Sequence, residues 1–352
     1  GAPAAGGSCE PAPAGTKVEL TFTSWVPGMQ KTVDLWNQTH PDIQVKYTEV
    51  VGGNQGTYQA YANQIKAGTT GDLGMIEFDS LPSFRLQNGL ANVGACQPVR
   101  DGITNYPEWT RSQISFGEDG AVYGVPQDVG PLALYYRKDL FDAAGLQPPT
   151  TWDEFAQAAA VIQGKGGLIA NFMPDQPAWF TALAWQNGAR WFTQNEDGSW
   201  TVDLTDPKTM QVAEFWQRLI DAKQVNTVPG IGNVEWQALD SGQEWALIGA
   251  PWTAKLIETN VPSPAGNWAV APLPQWTAGG TAGGSWGGSV TVVWSTSQHP
   301  YEAAQFAMWA FGDDAALALN NQNGGQFPAR NGQTELLQIW DENTNWRYSP
   351  LN

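Results

Sequence analysis

The sequence predicts an α/β fold built on a mostly parallel sheet, and three observations carry that expectation. Short runs of alternating apolar residues recur between helical stretches, and strands interleaved with helices at this spacing need crossovers and so pair in parallel. The chain has 352 residues, which at ~150 per domain suggests two domains. Hydrophobic residues make up 42%, enough apolar material for a core in each.

The elements follow in order. Val18, Leu20 and Phe22 alternate, as a strand with one buried face does. A helix is expected from Met29 to Gln38, halted at His40-Pro41, and Ile43, Val45 and Tyr47 form a second strand. Tyr58, Tyr61, Ala62 and Ile65 fall at helical spacing until Gly68. Leu73 to Phe78 reads as a short apolar strand, and Ser80 is placed to cap a helix ending at Gly89. The segment from Tyr123 to Tyr136 is extended. Thr151-Trp152-Asp153-Glu154 has the form of a capping box and opens a helix to Gln163. Pro177 to Asn187 is another helix, and Asn195–Gly198 is a hairpin turn. Asp206-Pro207 provides the cap and first residue of a long helix to Lys223. Glu244 to Ile248 is a buried strand, and Pro251-Trp252 starts a helix. Trp268 to Leu273 is extended, and the Gly-rich run Gly279–Gly288 leads into a strand from Ser289 to Trp294. Helices over Pro300–Gly312, Asp313–Asn323 and Glu335–Asp341 close the chain.

Composition removes several classes of function. Charged residues are only 14% and the net charge is −17. A disordered chain needs more charge than this. A binder of nucleic-acid backbones needs the opposite sign, so no nucleic-acid partner is expected. No apolar run approaches the ~18 residues of a membrane span. The 19 Trp, with 9 Tyr and 13 Phe, supply more flat apolar faces than core filling requires.

Cys9 and Cys96 are the two cysteines, and the two histidines, His40 and His299, each precede a proline. Neither set has metal-ligand spacing, so no metal and no cofactor is expected. Residues 1–15 are mostly Gly, Ala and Pro, the composition of a flexible tether. With Gly6, Gly7 and Ser8 before it, Cys9 lacks the Leu of a lipidation motif. A Cys9–Cys96 disulfide is the favoured reading over two free thiols. It points to a protein exported beyond the cytoplasmic membrane, where disulfides persist.

Motifs for catalysis are weak. Gly283-Gly284-Ser285-Trp286-Gly287 matches G-x-S-x-G, but a nucleophile elbow needs a strand before it and a helix after it. Here a Gly-rich loop precedes and a strand follows, and no acid lies between Ser285 and His299. Gly164-Lys165 is followed by Gly166, so there is no phosphate-binding P-loop. Glu77 and Asp79 are more interesting, because they sit at the C-terminal end of a strand, where open α/β sheets bind ligands. Two carboxylates there could grip a sugar, or act on a glycosidic bond if ~5–10 Å apart.

Several segments resemble the extracellular solute-binding proteins of ABC sugar importers, of the maltose-binding type. They are Asp119-Gly120 with Tyr123-Gly124-Val125-Pro126, Leu134 to Phe141, Ala144-Gly145-Leu146, and Pro149 to Glu154. Trp36-Asn37, His40 to Val45, Ala67-Gly68 with Gly71-Asp72, Ser241 to Trp252, Ala271 to Pro274, Gly288-Ser289 and Pro328-Ala329-Arg330 agree in order. The resemblance implies a two-lobed periplasmic-binding-protein fold of type II, with sugar held in a cleft that closes by hinge motion. It implies lobe 1 from 16–128 and 271–313, and lobe 2 from 129–270 and 314–352. Crossings are then expected near Gln127–Gly130, Val270–Leu273 and Phe311–Asp314.

A pyranose offers apolar C–H faces and a ring of hydroxyls, so it wants aromatic platforms beside acids and amides. Trp25 follows the first strand, Glu77 and Asp79 the third, and Asn54 lies in the turn Gly52–Gly56. Asp79 and Asp128 match sugar-binding acids of the family, and Trp179 and Trp252 match its second-lobe aromatics. Trp286 and Gly287 sit in a loop where backbone can approach ligand closely, and Arg330 completes the candidates. Trp36, Trp216 and Trp309 fall on apolar helix faces and are expected in the core. The leading expectation is a monomeric binding protein, not an enzyme, that passes a carbohydrate, in particular an oligosaccharide, to a membrane permease. A secreted glycoside-acting enzyme using Glu77 and a binder of a non-sugar solute are the alternatives.

Overall fold

The structure is a computed structural model that describes residues 9–261, 267–332 and 347–348. The helix expected over Glu335–Asp341 and the first eight residues of the tether lie outside the described residues. The elements in chain order begin β1 (Val18–Ser24), α1 (Met29–Thr39), β2 (Ile43–Glu49), α2 (Thr57–Ala67), β3 (Leu73–Glu77) and α3 (Leu81–Leu86). Then come α4 (Gln97–Gly102), α5 (Glu108–Ser115), β4 (Val125–Pro131), β5 (Ala133–Arg137), α6 (Lys138–Ala144), α7 (Trp152–Gly164) and α8 (Pro177–Gln186). They continue with β6 (Phe192–Gln194), β7 (Trp200–Val202), α9 (Pro207–Asp221), α10 (Asn233–Asp240), β8 (Ala246–Gly249) and α11 (Thr253–Asn260). Last are β9 (Trp268–Pro272), β10 (Ser285–Val293), α12 (Pro300–Ala310), α13 (Asp314–Gly324) and β11 (Arg347–Tyr348).

The chain divides into two compact units: Gly1–Val129 with Gly287–Ile339, and Gly130–Trp286 with Trp340–Asn352. Unit 1 holds a five-stranded sheet in the order β2-β1-β3-β10-β4. β1 runs parallel to β2 and β3, and β10 returns antiparallel to β3. The alternation read in β1 is its burial pattern: Val18, Leu20, Phe22 and Ser24 face inward. Phe22 and Trp36 meet Phe306 edge-on, at centroid distances of 5.6 and 5.4 Å, in the middle of the unit 1 core. Trp309, expected in that core, is only half-buried at its edge.

Unit 2 has a sheet in the order β11-β9-β5-β8. It is not mostly parallel: β5 runs antiparallel to both β8 and β9. β5 follows β4 with only Leu132 between them and pairs in the second sheet. The core packs Trp152, Phe155, Trp179, Phe215 and Trp216 under this sheet. Thr151 and Glu154 form the capping box of α7, and Asp206 caps α9 by accepting from the Lys208 and Thr209 amides.

Three local expectations need correction. Ser80 does not cap α3; its hydroxyl donates to Asp79 Oδ1 at 3.0 Å. The stretch 271–286 belongs to unit 2, not to lobe 1, because Gln275 is hydrogen-bonded to Thr150 and Trp152 and Gly284 accepts from Leu132. α13 belongs to unit 1, since Asn320 accepts from the Thr32 hydroxyl at 2.6 Å and Asn323 from the Lys31 ammonium at 2.7 Å. The turn Phe311–Asp314 is therefore no crossing, and Asp313 simply caps α13. The helices α4, α5, α6 and α10 were not anticipated.

Candidate functional site

In unit 1, the C-terminal ends of β1 and β3 gather acids and aromatics. Trp25 follows the last residue of β1, and the Ser24 hydroxyl accepts from the Val26 amide at 3.2 Å to fix that turn. The Trp25 ring meets Tyr58 edge-on at 5.8 Å. Tyr58 then reaches Glu77: its hydroxyl donates to Glu77 Oε2 at 2.8 Å and accepts from the Glu77 amide at 2.9 Å. Burial pushes the Tyr58 phenol well above its ordinary value, so it stays protonated and remains a donor. Burial also raises the Glu77 carboxyl, against the lowering effect of the Tyr58 bond, and the charges of Asp79 and Asp128 raise it further.

The register sets Glu77 opposite Ser289 on β10, which places both side chains on one face of the sheet. The Ser289 hydroxyl donates to Asp128 Oδ1, so Glu77, Ser289 and Asp128 form a row across β3, β10 and β4. Asp128 is buried, and its carboxyl is raised by that burial despite the bonds from Ser289 and from the Gln326 side chain. Gly288, just before this pairing, sits at φ +113°, and a Cβ there would come 3.0 Å from the Asp128 carbonyl and 3.2 Å from the Phe78 ring. Asp79 stands exposed beside this row. Asn54 is exposed on the short helical turn Gly53–Gln55. Trp109 on α5, 46% exposed, lies 6.4 Å from Phe78.

In unit 2, Trp252 stands at the N-terminus of α11 with Trp286 at 6.1 Å and an interplanar angle of 55°. Trp252 is half-buried, whereas Trp286 is 7% exposed and faces the core as well as Trp252. The Tyr135 hydroxyl donates to the Ala250 carbonyl at 3.1 Å and holds the turn before Trp252. Gly130 lies under this pair; a Cβ there would come 2.7 Å from Trp252 Cη2 and 2.0 Å from the Trp286 carbonyl.

Two candidates sit elsewhere. Trp179 is 0% exposed, donates its indole N–H to the Ile248 carbonyl at 2.9 Å, and packs against Phe172 and Trp216. It is a core residue of unit 2 and has no face left for a ligand. Arg330 donates to the Gly312 carbonyl and to Asp314 at 2.8 Å. It lines a separate surface cavity of about 370 Å³ with His40, Asp101 and Trp309, so its charge is spent away from Glu77. Gly287 is exposed at φ +70° at the start of the unit 1 part of β10.

Sequence reasoning missed Tyr58, Ser289, Gln326 and Trp109. Tyr58 was read only as one apolar position of a helical stripe, and its hydroxyl was the overlooked signal. Trp109 lies in a stretch where Pro98 and Pro107 obscure two short helices. Cys9 and Cys96 are joined in a disulfide across 87 residues of chain. Among the described residues no group of three or more His, Cys, Asp and Glu is arranged to hold a metal, and no helix is long and apolar enough to cross a membrane.

An α/β sheet with acids and aromatics at its strand ends is the architecture of a ligand-capturing protein, and the chain belongs to the bacterial extracellular solute-binding protein family, which it matches over residues 21–317. It is 27% identical over 289 residues to the arabinooligosaccharide-binding protein of Halalkalibacterium halodurans, covering 78% of this chain and 62% of that protein. It is 30% identical over 194 residues to the lactose-binding protein of Rhizobium radiobacter, covering 53% of this chain and 45% of that one. The chain thus spans less than two thirds of the length of these relatives. The solved galacto-N-biose-/lacto-N-biose I-binding protein of a Bifidobacterium longum ABC transporter superposes with a TM-score of 0.81 at 27% identity, over 96% of this chain and 88% of that one. The fold is the type II periplasmic-binding-protein fold, and these neighbours are binding proteins rather than enzymes.

Proposed function

We propose that this protein captures a carbohydrate, in particular an oligosaccharide, outside the cytoplasmic membrane and delivers it, as a monomer, to the permease of an ABC importer. The observation that carries this reading is the pairing of aromatic faces with carboxylates at the strand ends. Trp25 and Tyr58 stand beside Glu77 in unit 1, and Trp252 stands over Gly130 in unit 2. Apolar C–H faces of a sugar stack on the rings while its hydroxyls donate to the acids, and bonds to ionised acceptors are the stronger ones. The sugar-binding names of its relatives support the substrate class, and the Cys9–Cys96 bridge supports an oxidising location. In this reading Trp25, Asn54, Glu77, Asp79, Asp128 and Gly287 are ligand residues of unit 1, and Trp252 and Trp286 are ligand residues of unit 2.

A thermal-shift screen against mono- to tetrasaccharides tests it. A ligand at 100 times its Kd stabilises by about 2.7 kcal/mol, a visible rise in Tm. The Trp252→Ala variant is expected to lose that rise. Unchanged Tm with every sugar would overturn the reading, and turnover of an aryl glycoside would replace it with an enzyme.

A further inference from the structure

We infer that unit 1 carries a second carbohydrate site, sized for one pyranose ring, in the surface cavity that Arg330 and Trp309 line. This goes beyond the reading above and does not rest on it.

Position separates the two sites. His40 lines the cavity and stands three residues before β2 begins at Ile43, whereas Trp25 follows the far end of β1. β1 and β2 pair in parallel over seven residues, with Val18 opposite Ile43 and Ser24 opposite Glu49. At ~3.3 Å per residue the two ends of these strands stand roughly 20 Å apart. One sugar ring does not span that distance.

The lining has an apolar wall. Its volume of about 370 Å³ lies at the small end of ligand pockets, which run from ~300 to 1,000 Å³. Trp36 and Tyr106 bring only their rings to it, because their polar tips are spent. The Trp36 indole donates to the Ile43 carbonyl at 2.8 Å, and the Tyr106 hydroxyl donates to the Phe311 carbonyl at 2.7 Å. His40 stacks on Trp36 at 3.5 Å and 10°, and the half-buried Trp309 meets His40 at 6.0 Å and 66°. Rings fixed against one another in this way suit the flat C–H face of a pyranose.

The polar groups of the lining are mixed in kind. The Gln305 amide carries both donors and an acceptor. Arg330 uses Nη1 on the Gly312 carbonyl and on Asp314, which leaves the N–H groups of Nε and Nη2 as donors. His40 Nδ1 lies 3.2 Å from the Trp36 carbonyl, which can only accept, so in the uncharged ring Nδ1 carries the hydrogen and Nε2 is an acceptor. A sugar hydroxyl brings one hydrogen and two lone pairs, and so asks for both kinds of partner. Charge selects against an ion. Arg330 is paired with Asp314, and the one carboxylate of the lining, Asp101, is exposed to water.

The chain's two histidines serve as reporters. His40 lines the cavity, while His299 precedes the first turn of α12 and Trp309 lies in its last. Their ring C–H signals are followed by proton NMR in the full chain, with His299→Gln to assign them. Methyl pyranosides, their disaccharides and glycerol are titrated in. A pyranoside is expected to move the His40 signal saturably, to leave His299 in place, and to do the same in Trp252→Ala. Gln305→Ala and Asp101→Ala should each weaken this binding about fivefold. Glycerol, with hydroxyls but no ring face, should move neither signal. A free monosaccharide and the end of a longer glycan present the same ring: disaccharides that bind as tightly as the pyranoside assign a chain end, and weaker ones a monosaccharide. No His40 shift with any pyranoside, or an equal one with glycerol, overturns the inference and leaves the strand-end reading intact. A shift that Trp252→Ala abolishes also overturns it, because His40 would then report a ligand bound elsewhere. Unchanged affinity in both Gln305→Ala and Asp101→Ala overturns it too, by placing the sugar outside the cavity.

Discussion

Tyr58 holds two parts of the unit 1 face at once, with its hydroxyl on Glu77 and its ring against Trp25. Its bond lowers the Glu77 carboxyl, so Tyr58→Phe is expected to raise that pKa further, read by following the Glu77 carboxyl carbon in an NMR titration. An unchanged value would mean that burial and the charges of Asp79 and Asp128 govern it without Tyr58. Glu244 poses the same physics in the core of unit 2. It is fully buried, and burial with the nearby Glu235 charge raises its carboxyl well above the ordinary 4.5, against the lowering effect of the Asn226 side chain. A carboxyl with a raised folded-state pKa favours the native state most when protonated. Its stability contribution is therefore full below the ordinary value and falls as pH rises through the folded one. Glu244→Gln should flatten this dependence and raise stability at pH 8 by about 1–3 kcal/mol, measured by melts from pH 4 to 8. A steeper loss in the variant would refute the account.

Caps and close approaches govern the elements. Thr151→Ala removes one half of the α7 capping box, for an expected loss of about 1 kcal/mol, read by denaturant unfolding. Gly130→Ala places a methyl against the Trp286 carbonyl and the Trp252 ring. It should displace Trp252, change the tryptophan fluorescence and weaken any sugar bound there. At this scale the sequence was most legible. The alternation in β1, the capping box, the Asp206 cap with Pro207 at the first position of α9 and the turn at Asn195–Gly198 are all found in the structure. Each depends on residues within four positions of one another. The short helices α4, α5, α6 and α10 escaped because six to eight residues, about two turns, give the apolar repeat too few positions to stand out.

The disulfide acts on the whole molecule. It ties the N-terminal segment to α4, and the Ala12 amide donates to the buried Glu302 carboxylate at 2.6 Å. Closing an 87-residue separation constrains the unfolded chain by about 4–5 kcal/mol in the chain-entropy account. The Cys9→Ser/Cys96→Ser double variant should accordingly melt lower, and two free thiols titrated in denaturant without reductant would show that the bridge does not form. Such a long-range restraint was open to a reader of the sequence only because there were just two cysteines to join.

By itself the sequence determined the α/β class, the long helices and most strands with their caps, and the family, because local periodicity, turn chemistry and ordered motifs are written in neighbouring residues. Tertiary structure alone decided which aromatics are spent. Trp179 and Trp252 look alike in the chain, yet one is sealed by Phe172 and Trp216 and the other stands half-open over Gly130. It also decided that α13 and the stretch 271–286 join the units they do, and that Ser289 and Gln326 meet Asp128. Burial and charge at these places are set by partners tens to hundreds of residues apart, and no local pattern encodes their meeting.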